Sequence, residues 1–377
     1  MDDRIQKALD RVEPQVLAVA VVDLEHLAAN YAKIHGRLRE NTRIAAVVKA
    51  DSYGFGAVPI VRRLYAEGCR LFFVATINEG IEIRRVLRPE AKIFVLSGLL
   101  EHTEDILVEH CLTPVLNGPR QAELWINHGG RIGKKLDAVV HVDTGMFRNG
   151  FSESEVLVYW EKISSNLKTN FVMSHLACAD VQNHEMNDRQ LVKFRNILKM
   201  LGNPPASLSA TYGFFLGEDY HFDIIRPGKT LYGIAIRDDK IGDMENVIEV
   251  FARIVQVNSL SAGDSVGYGA TFVAKKNMRT ATVGVGYADG FMRKFSGFGH
   301  GFLGGKKIPM VGRISMDYTV LDATEVDERH LEIGAWVALT RSPDYTLERW
   351  ALELGTLPYE VACRFGRRVE RVYIGEA

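Results

Sequence analysis

With 377 residues, 47% of them hydrophobic, the chain can bury a large core, and its length suggests two domains. A formal net charge of −1, from 46 Lys and Arg against 47 Asp and Glu, leaves no basic field to hold nucleic acid or an anionic membrane, so small molecules or protein partners are expected. Cys69, Cys111, Cys178 and Cys363 lie far apart, with no CxxC or His/Cys ligand spacing, which argues against both a disulfide framework and a metal site.

The opening stretch, "MDDRIQKALDRVEPQ", is charged and amphipathic where a signal peptide would be apolar. No later run approaches the ~18 apolar residues of a membrane span, so a cytoplasmic location is expected. The strand-like "VLAVAVVD" (16–23) comes next. Short apolar runs then alternate with helical patterns up to about residue 235: "RIAAVVKA" (43–50), "LFFVAT" (71–76), "KIFVLS" (92–97), "LTPVL" (112–116), "LDAVVHVD" (136–143), "NFVMSH" (170–175), "SLSAT" (207–211) and "FDIIRP" (222–227). Several are apolar on both faces, as strands of a covered parallel sheet are. Segments such as "VPIVRRLYAEG" and "DRQLVKFRNILKMLG" repeat apolar positions at three and four, the helix period. Eight strand–helix units predict a (β/α)8 barrel over 1–240. Beyond it, "VIEVFARIVQVNSL", "TATVGVGYADG", "KKIPMVGRISMDYTVLD" and "GAWVALT" are β-branched runs broken by glycine, which predicts a mostly β domain over 241–377. The run at 16–23 is surplus to the barrel and is expected to pair with that second domain.

Lys49 falls at the C-terminal end of the first barrel strand, the face on which barrel enzymes build their sites. An isolated strand-end lysine more often snorkels to solvent. Its company decides otherwise. "VVKADSYGFG", "VDTGMFRNGF" (142–151), "SHLACAD" (174–180), "IRPGKTLYGI" (225–234), "SVGYGATF" (265–272), "VGYADG" (285–290), "GRISMD" (312–317) and "LPYEVACRFGRRV" (357–369) resemble, in order, the signature blocks of the alanine racemases. The resemblance spans nearly the whole chain. It implies pyridoxal phosphate (PLP) as cofactor, a homodimer, and Lys49 as the amine that holds PLP as an imine and later acts as a base at the substrate Cα. For that, Lys49 must fall below its ordinary pKa of about 10.4, and burial and neighbouring cations would do this.

The same resemblance assigns a second acid/base to Tyr268 in "VGYGA", reaching into the barrel of the partner subunit; alone, that motif is a weak signal. His175 and Arg226 are the candidates to lower the pKa of that phenol. Arg226 is also implied to face the pyridine nitrogen, where a group protonated at any working pH donates a hydrogen bond without giving up a proton. The phosphate is implied to lie on the amides of Gly228 and Lys229, the phenols of Tyr53 and Tyr359, and the hydroxyl of Thr211. Arg148 would hold the cofactor's phenolic oxygen and the substrate carboxylate. Met316, Asp317 and Tyr287 would line the substrate pocket from the partner chain, with Asp180, Arg293 and Arg313 further up the same corridor. The chain departs from the family at three places. Ala210 and Thr211 replace the usual Asn-Ser, Phe55 stands where histidine is common, and His141 stands where many members carry a lysine modified to a carbamate.

Three function classes stay open on the sequence: a racemase for alanine or another small amino acid such as serine, a PLP-dependent decarboxylase of related architecture, and a non-catalytic PLP-binding protein. The complete second domain counts against the third.

Overall fold

The structure, a computed structural model, describes residues 2–234 and 244–375. Strands β2 (Arg43–Val47), β3 (Leu71–Val74), β4 (Lys92–Val95), β5 (Leu112–Leu116), β6 (Asp137–His141), β7 (Lys168–Met173), β8 (Ala206–Ser207) and β9 (Ile224–Ile225) form one parallel sheet in sequence order, and β9 returns to pair with β2. The remaining seam, between β8 and β9, carries a single bridge, Ala210 to Arg226, with the Arg226 N–H donating to the Ser209 carbonyl at 2.9 Å. The result is a nearly closed eight-stranded barrel.

Alternation along the strands explains why both faces are apolar. Phe73, Phe94 and Phe171 point inward and meet edge to face or tilted, with ring centroids 5.0 to 6.2 Å apart. Their neighbours Phe72, Ile93 and Val172 point outward and are equally buried, under helices that include 57–66, 119–131 and 185–200. Each such side chain contributes about 1.5–3 kcal/mol.

Two sequence expectations are refined here. The strand at 16–23 forms as β1 (Ala18–Asp23) and lies outside the barrel, antiparallel to β10 (Ile248–Leu260) and parallel to β18 (Val369–Ile374). The eight units are not all strand–helix pairs. Between β8 and β9 the chain makes only short turns of 3-10 helix at 213–216 and 218–220, because "TYGFFLGEDY" has glycines at 213 and 217 and the second takes φ +122°. Helix 24–35 instead precedes the first barrel strand.

The rest of the C-terminal sheet comprises β13 (Met278–Val283), β14 (His300–Leu303), β15 (Lys306–Pro309), β16 (Thr319–Asp322) and β17 (Trp336–Ala338), with β11 (Ser265–Val266) and β12 (Phe272–Val273) as a separate hairpin. It is mostly antiparallel, with short helices at 347–354 and 358–363. The expected boundary at 240/241 lies outside the described residues.

Candidate active site

A cavity of about 850 Å³ opens at the C-terminal mouth of the barrel, and Lys49, Tyr53, His141, Arg148, His175, Thr211, Arg226, Gly228, Lys229 and Tyr359 all line it. Lys49 follows β2 by two residues. The next four residues take a conformation that composition alone would not suggest. Ala50, Asp51, Ser52 and Tyr53 have φ between +52° and +59°, a full left-handed turn without a glycine until Gly54, at a cost of about 1–2 kcal/mol per residue. Side chains and the second domain hold it. Glu79 accepts the Ala50 N–H at 2.9 Å, Asp51 accepts the Ala57 N–H at 2.6 Å, and Arg371 donates to the Gly54 carbonyl at 3.0 Å. At Gly54 a Cβ would lie 2.4 Å from the Ala362 carbonyl oxygen, so only glycine fits beneath the second domain.

Burial lowers the pKa of Lys49, and Arg148 adds to the effect, with Glu79 and Cys363 opposing. Among the described residues no carboxylate comes within 4 Å of its amine. Arg226 is buried at the end of β9. It donates to the Ser207 hydroxyl, to the Ser174 carbonyl at 2.6 Å and to the Leu208 carbonyl at 3.2 Å. Burial pushes its pKa down to about 9, which still leaves it charged at neutral pH. Its remaining contact is His175 Nδ1 at 3.4 Å. A guanidinium only donates, so Nδ1 accepts and the His175 proton sits on Nε2. Burial, with Arg226 next, drives the His175 pKa well below its ordinary value, so the ring is neutral.

His141 is fixed in the opposite tautomer. Asn117 gives both of its amide protons to the Leu96 and Val115 carbonyls, at 2.9 and 3.0 Å. Its oxygen therefore faces His141 Nδ1 at 2.8 Å. Nδ1 carries the proton, and Nε2 presents a bare lone pair.

The comparisons with known proteins agree with one another. Models for the alanine racemase N-terminal and C-terminal domains match residues 22–236 and 247–373. Curated alanine racemases of Brucella abortus and Rhodospirillum rubrum are each 40% identical, covering 94% and 96% of this chain and 93% and 97% of their own. The chain belongs to the alanine racemase family. Among solved structures, the alanine racemase of Bartonella henselae with covalently bound pyridoxal phosphate superposes with a TM-score of 0.88 at 34% identity, over 95% of this chain and 99% of that one. The alanine racemase of Streptomyces coelicolor A3(2) reaches 0.90 at 28% identity, over 96% and 99%.

Within one chain of this alanine racemase family member, the second group of expected residues stands apart from the cavity. Tyr268 is 72% exposed on the turn after β11, and Met316 and Tyr287 are about half exposed on loops of the β domain. Asp317 is held by Arg368 at 2.7 Å, and Arg368 also grips the buried Asp289 at 2.6 Å. Phe55 does not face the cavity. It is fully buried, stacked on Tyr232 at 5.0 Å.

Sequence reasoning missed the residues that shape the site from behind. Asp143 accepts three consecutive backbone N–H groups, of Gly145, Met146 and Phe147, each at 2.8 Å, and so folds the loop that carries Arg148. An aspartate ahead of a Thr-Gly pair is a local turn signal that could have found it. Gln190 bridges the Ala177 N–H at 2.8 Å and the His175 carbonyl at 2.9 Å. Nothing local in the sequence marks Gln190, Ser207 or Asn117.

Proposed function

We propose that this chain interconverts L- and D-alanine using PLP held through the amine of Lys49, with serine or another small amino acid as the nearest alternative substrate. The observation that carries the reading is Lys49 itself: an amine in the cavity wall, with no carboxylate within 4 Å among the described residues and held below its ordinary pKa by burial and Arg148.

The residues around it suit the cofactor. A Cβ at Gly228 would lie 2.4 Å from the Tyr53 hydroxyl, so the backbone is bare where a phosphate needs close approach. Thr211 Oγ1 accepts the Gly228 N–H at 3.1 Å, which leaves its own proton to donate. Tyr53 and Tyr359 bring phenols to the same end, and Arg226 offers a permanent donor for a pyridine nitrogen. PLP supplies an electron-withdrawing ring, without which a Cα proton is too weakly acidic to leave at neutral pH.

The protein's part is proton handling and orientation. Arg148 holds the substrate carboxylate beside Lys49. Lys49 Nζ, its pKa lowered by burial and Arg148, takes a proton from Cα on one face, and the Tyr268 hydroxyl of a second copy delivers one on the other; the roles exchange for the reverse reaction. Arg226, still charged at neutral pH, would donate a hydrogen bond to the pyridine nitrogen without transferring its proton, which limits electron withdrawal and suits racemisation over transamination. The exposure of Tyr268, Tyr287 and Met316 on a β domain away from their own cavity supports a homodimer in which each copy completes the other's site. A cytoplasmic place and supply of D-alanine for peptidoglycan belong to the same reading.

Racemase assays against a panel of L-amino acids with PLP present test the substrate. Borohydride should fix the cofactor to Lys49 alone, as read by peptide mass. A fixed label retained by Lys49→Ala on one other lysine would overturn the assignment.

A further inference from the structure

Lys229 is a charge without an obvious purpose. Its ammonium lies between the faces of Tyr212 and Tyr359, 4.2 and 4.3 Å from the two ring centroids, in the wall of the same cavity as Lys49. Ring faces attract a cation, but they do not neutralise it. Among the described residues no carboxylate comes within 4 Å of it, and Asp180 acts on it only from further away. Burial accordingly pulls its pKa down to about 8, with Asp180 opposing and the positive charge of Lys49 adding a smaller effect in the same direction. A half-buried cation held by two rigid rings, with no anion beside it, is a preorganised anion site.

We propose that the Lys229 side chain, and not its backbone alone, binds the phosphate of the cofactor, adding a charge to a cradle otherwise built from neutral groups. Position argues for phosphate over any other anion. Lys229 follows Gly228, on which the hydroxyls of Tyr53 and Thr211 converge, and its two aromatic walls are Tyr212, next to Thr211, and Tyr359, itself a cradle phenol. Ala210, also in the wall, contributes no side-chain donor, so the charge of Lys229 adds to a lining that has none from that residue. This deepens the reading of the cavity as a PLP site and rests on it.

The test compares PLP with pyridoxal, which lacks the phosphate, in the full-length protein. Lys229→Met keeps an unbranched stem between the tyrosines and removes the charge. Loss of a charge-assisted contact predicts PLP bound about 10- to 100-fold more weakly, seen as a higher dissociation constant and faster release by cofactor absorbance, with pyridoxal binding unchanged and Lys229→Arg close to the unaltered protein. PLP affinity unchanged in Lys229→Met, or PLP and pyridoxal weakened alike, would overturn the proposal and leave the lysine a packing element. A second measurement needs no substitution. In the unaltered holoenzyme, acylation of Lys229 read by peptide mass should be slower with PLP bound than with pyridoxal bound, and equal rates also refute it. If the unaltered protein takes up neither compound, the cofactor reading itself fails and the proposal falls with it. That outcome is distinct because it appears before any substitution is made.

Discussion

His141 allows a quantitative test of the site's electrostatics. Its pKa falls from the ordinary 6.5 to about 4, chiefly because burial penalises the charged ring and next because Arg226 stands nearby, with Asp143 opposing. A depressed folded-state value means that the unfolded chain binds the proton first as the solution is acidified. The stabilisation from keeping the ring neutral is therefore complete above pH 6.5 and is gone once the pH has fallen through about 4. At about 1.4 kcal/mol per pH unit, that fall is worth about 3 kcal/mol. His141→Gln keeps a donor for the Asn117 oxygen and cannot titrate. Urea unfolding of both proteins from pH 7 to 4, at one protomer concentration and one saturating PLP concentration because both bias the folded state, should show the unaltered protein losing about 3 kcal/mol more than the variant. His175, lowered in the same direction, leaves both proteins with a shared residual slope. Parallel profiles, or an imidazole resonance of His141 that titrates near 6.5 in the folded protein, would refute the reasoning.

Tyr268→Phe should suppress Cα hydrogen exchange in deuterated water by about 10²- to 10⁴-fold for L-alanine and much less for D-alanine, with Lys49 serving the D-enantiomer; equal losses would argue against separate faces. Mixing inactive Lys49→Ala and Tyr268→Phe proteins should restore activity through heterodimers, and no recovery after demonstrated subunit exchange would place both bases in one chain. Steady-state rates should be unchanged in bicarbonate-free buffer, because imidazole forms no stable carbamate, and a carbon dioxide response should follow only from His141→Lys. An unaltered enzyme that loses activity without bicarbonate and regains it on addition would reveal another carbamylated lysine.

The barrel was legible because its strands are unusually pure. "LTPVL" matches β5 residue for residue, and the others differ from the observed strands by at most four residues at either end, the largest overshoot being "SLSAT" past β8. Apolar faces inside and out leave a signal that needs no partner to be read. The end of the "RIAAVVKA" run places Lys49 at the barrel mouth, but its role is legible in the signature blocks around it rather than in its place. What stayed hidden depends on contacts between distant parts of the chain. The left-handed turn after Lys49 carries no glycine until its end, so local propensity argues against it, and contacts with Glu79, Arg371 and Ala362, distant in sequence, help impose it. The tautomer of His141 is set by Asn117, 24 residues earlier. The missing helix between β8 and β9 had a visible cause in Gly213 and Gly217, but the apolar "FFL" between them imitates part of a helical stripe.

The segment after Lys49 also ties the two domains into one functional unit. Arg371 reaches the Gly54 carbonyl, the Tyr373 hydroxyl donates to the Phe55 carbonyl at 3.0 Å, and Ala362 roofs Gly54. All three come from the last turn and last strand of the chain, more than 300 residues from the lysine they constrain. A barrel cut free of its companion would keep its sheet and the Glu79 and Asp51 contacts, but would lose these three holds on a backbone turn that costs about 1–2 kcal/mol per residue. The segment after Lys49 is latched by the far end of its own chain, so exchanging the second domain for a foreign one would have to reproduce that latch to keep its conformation.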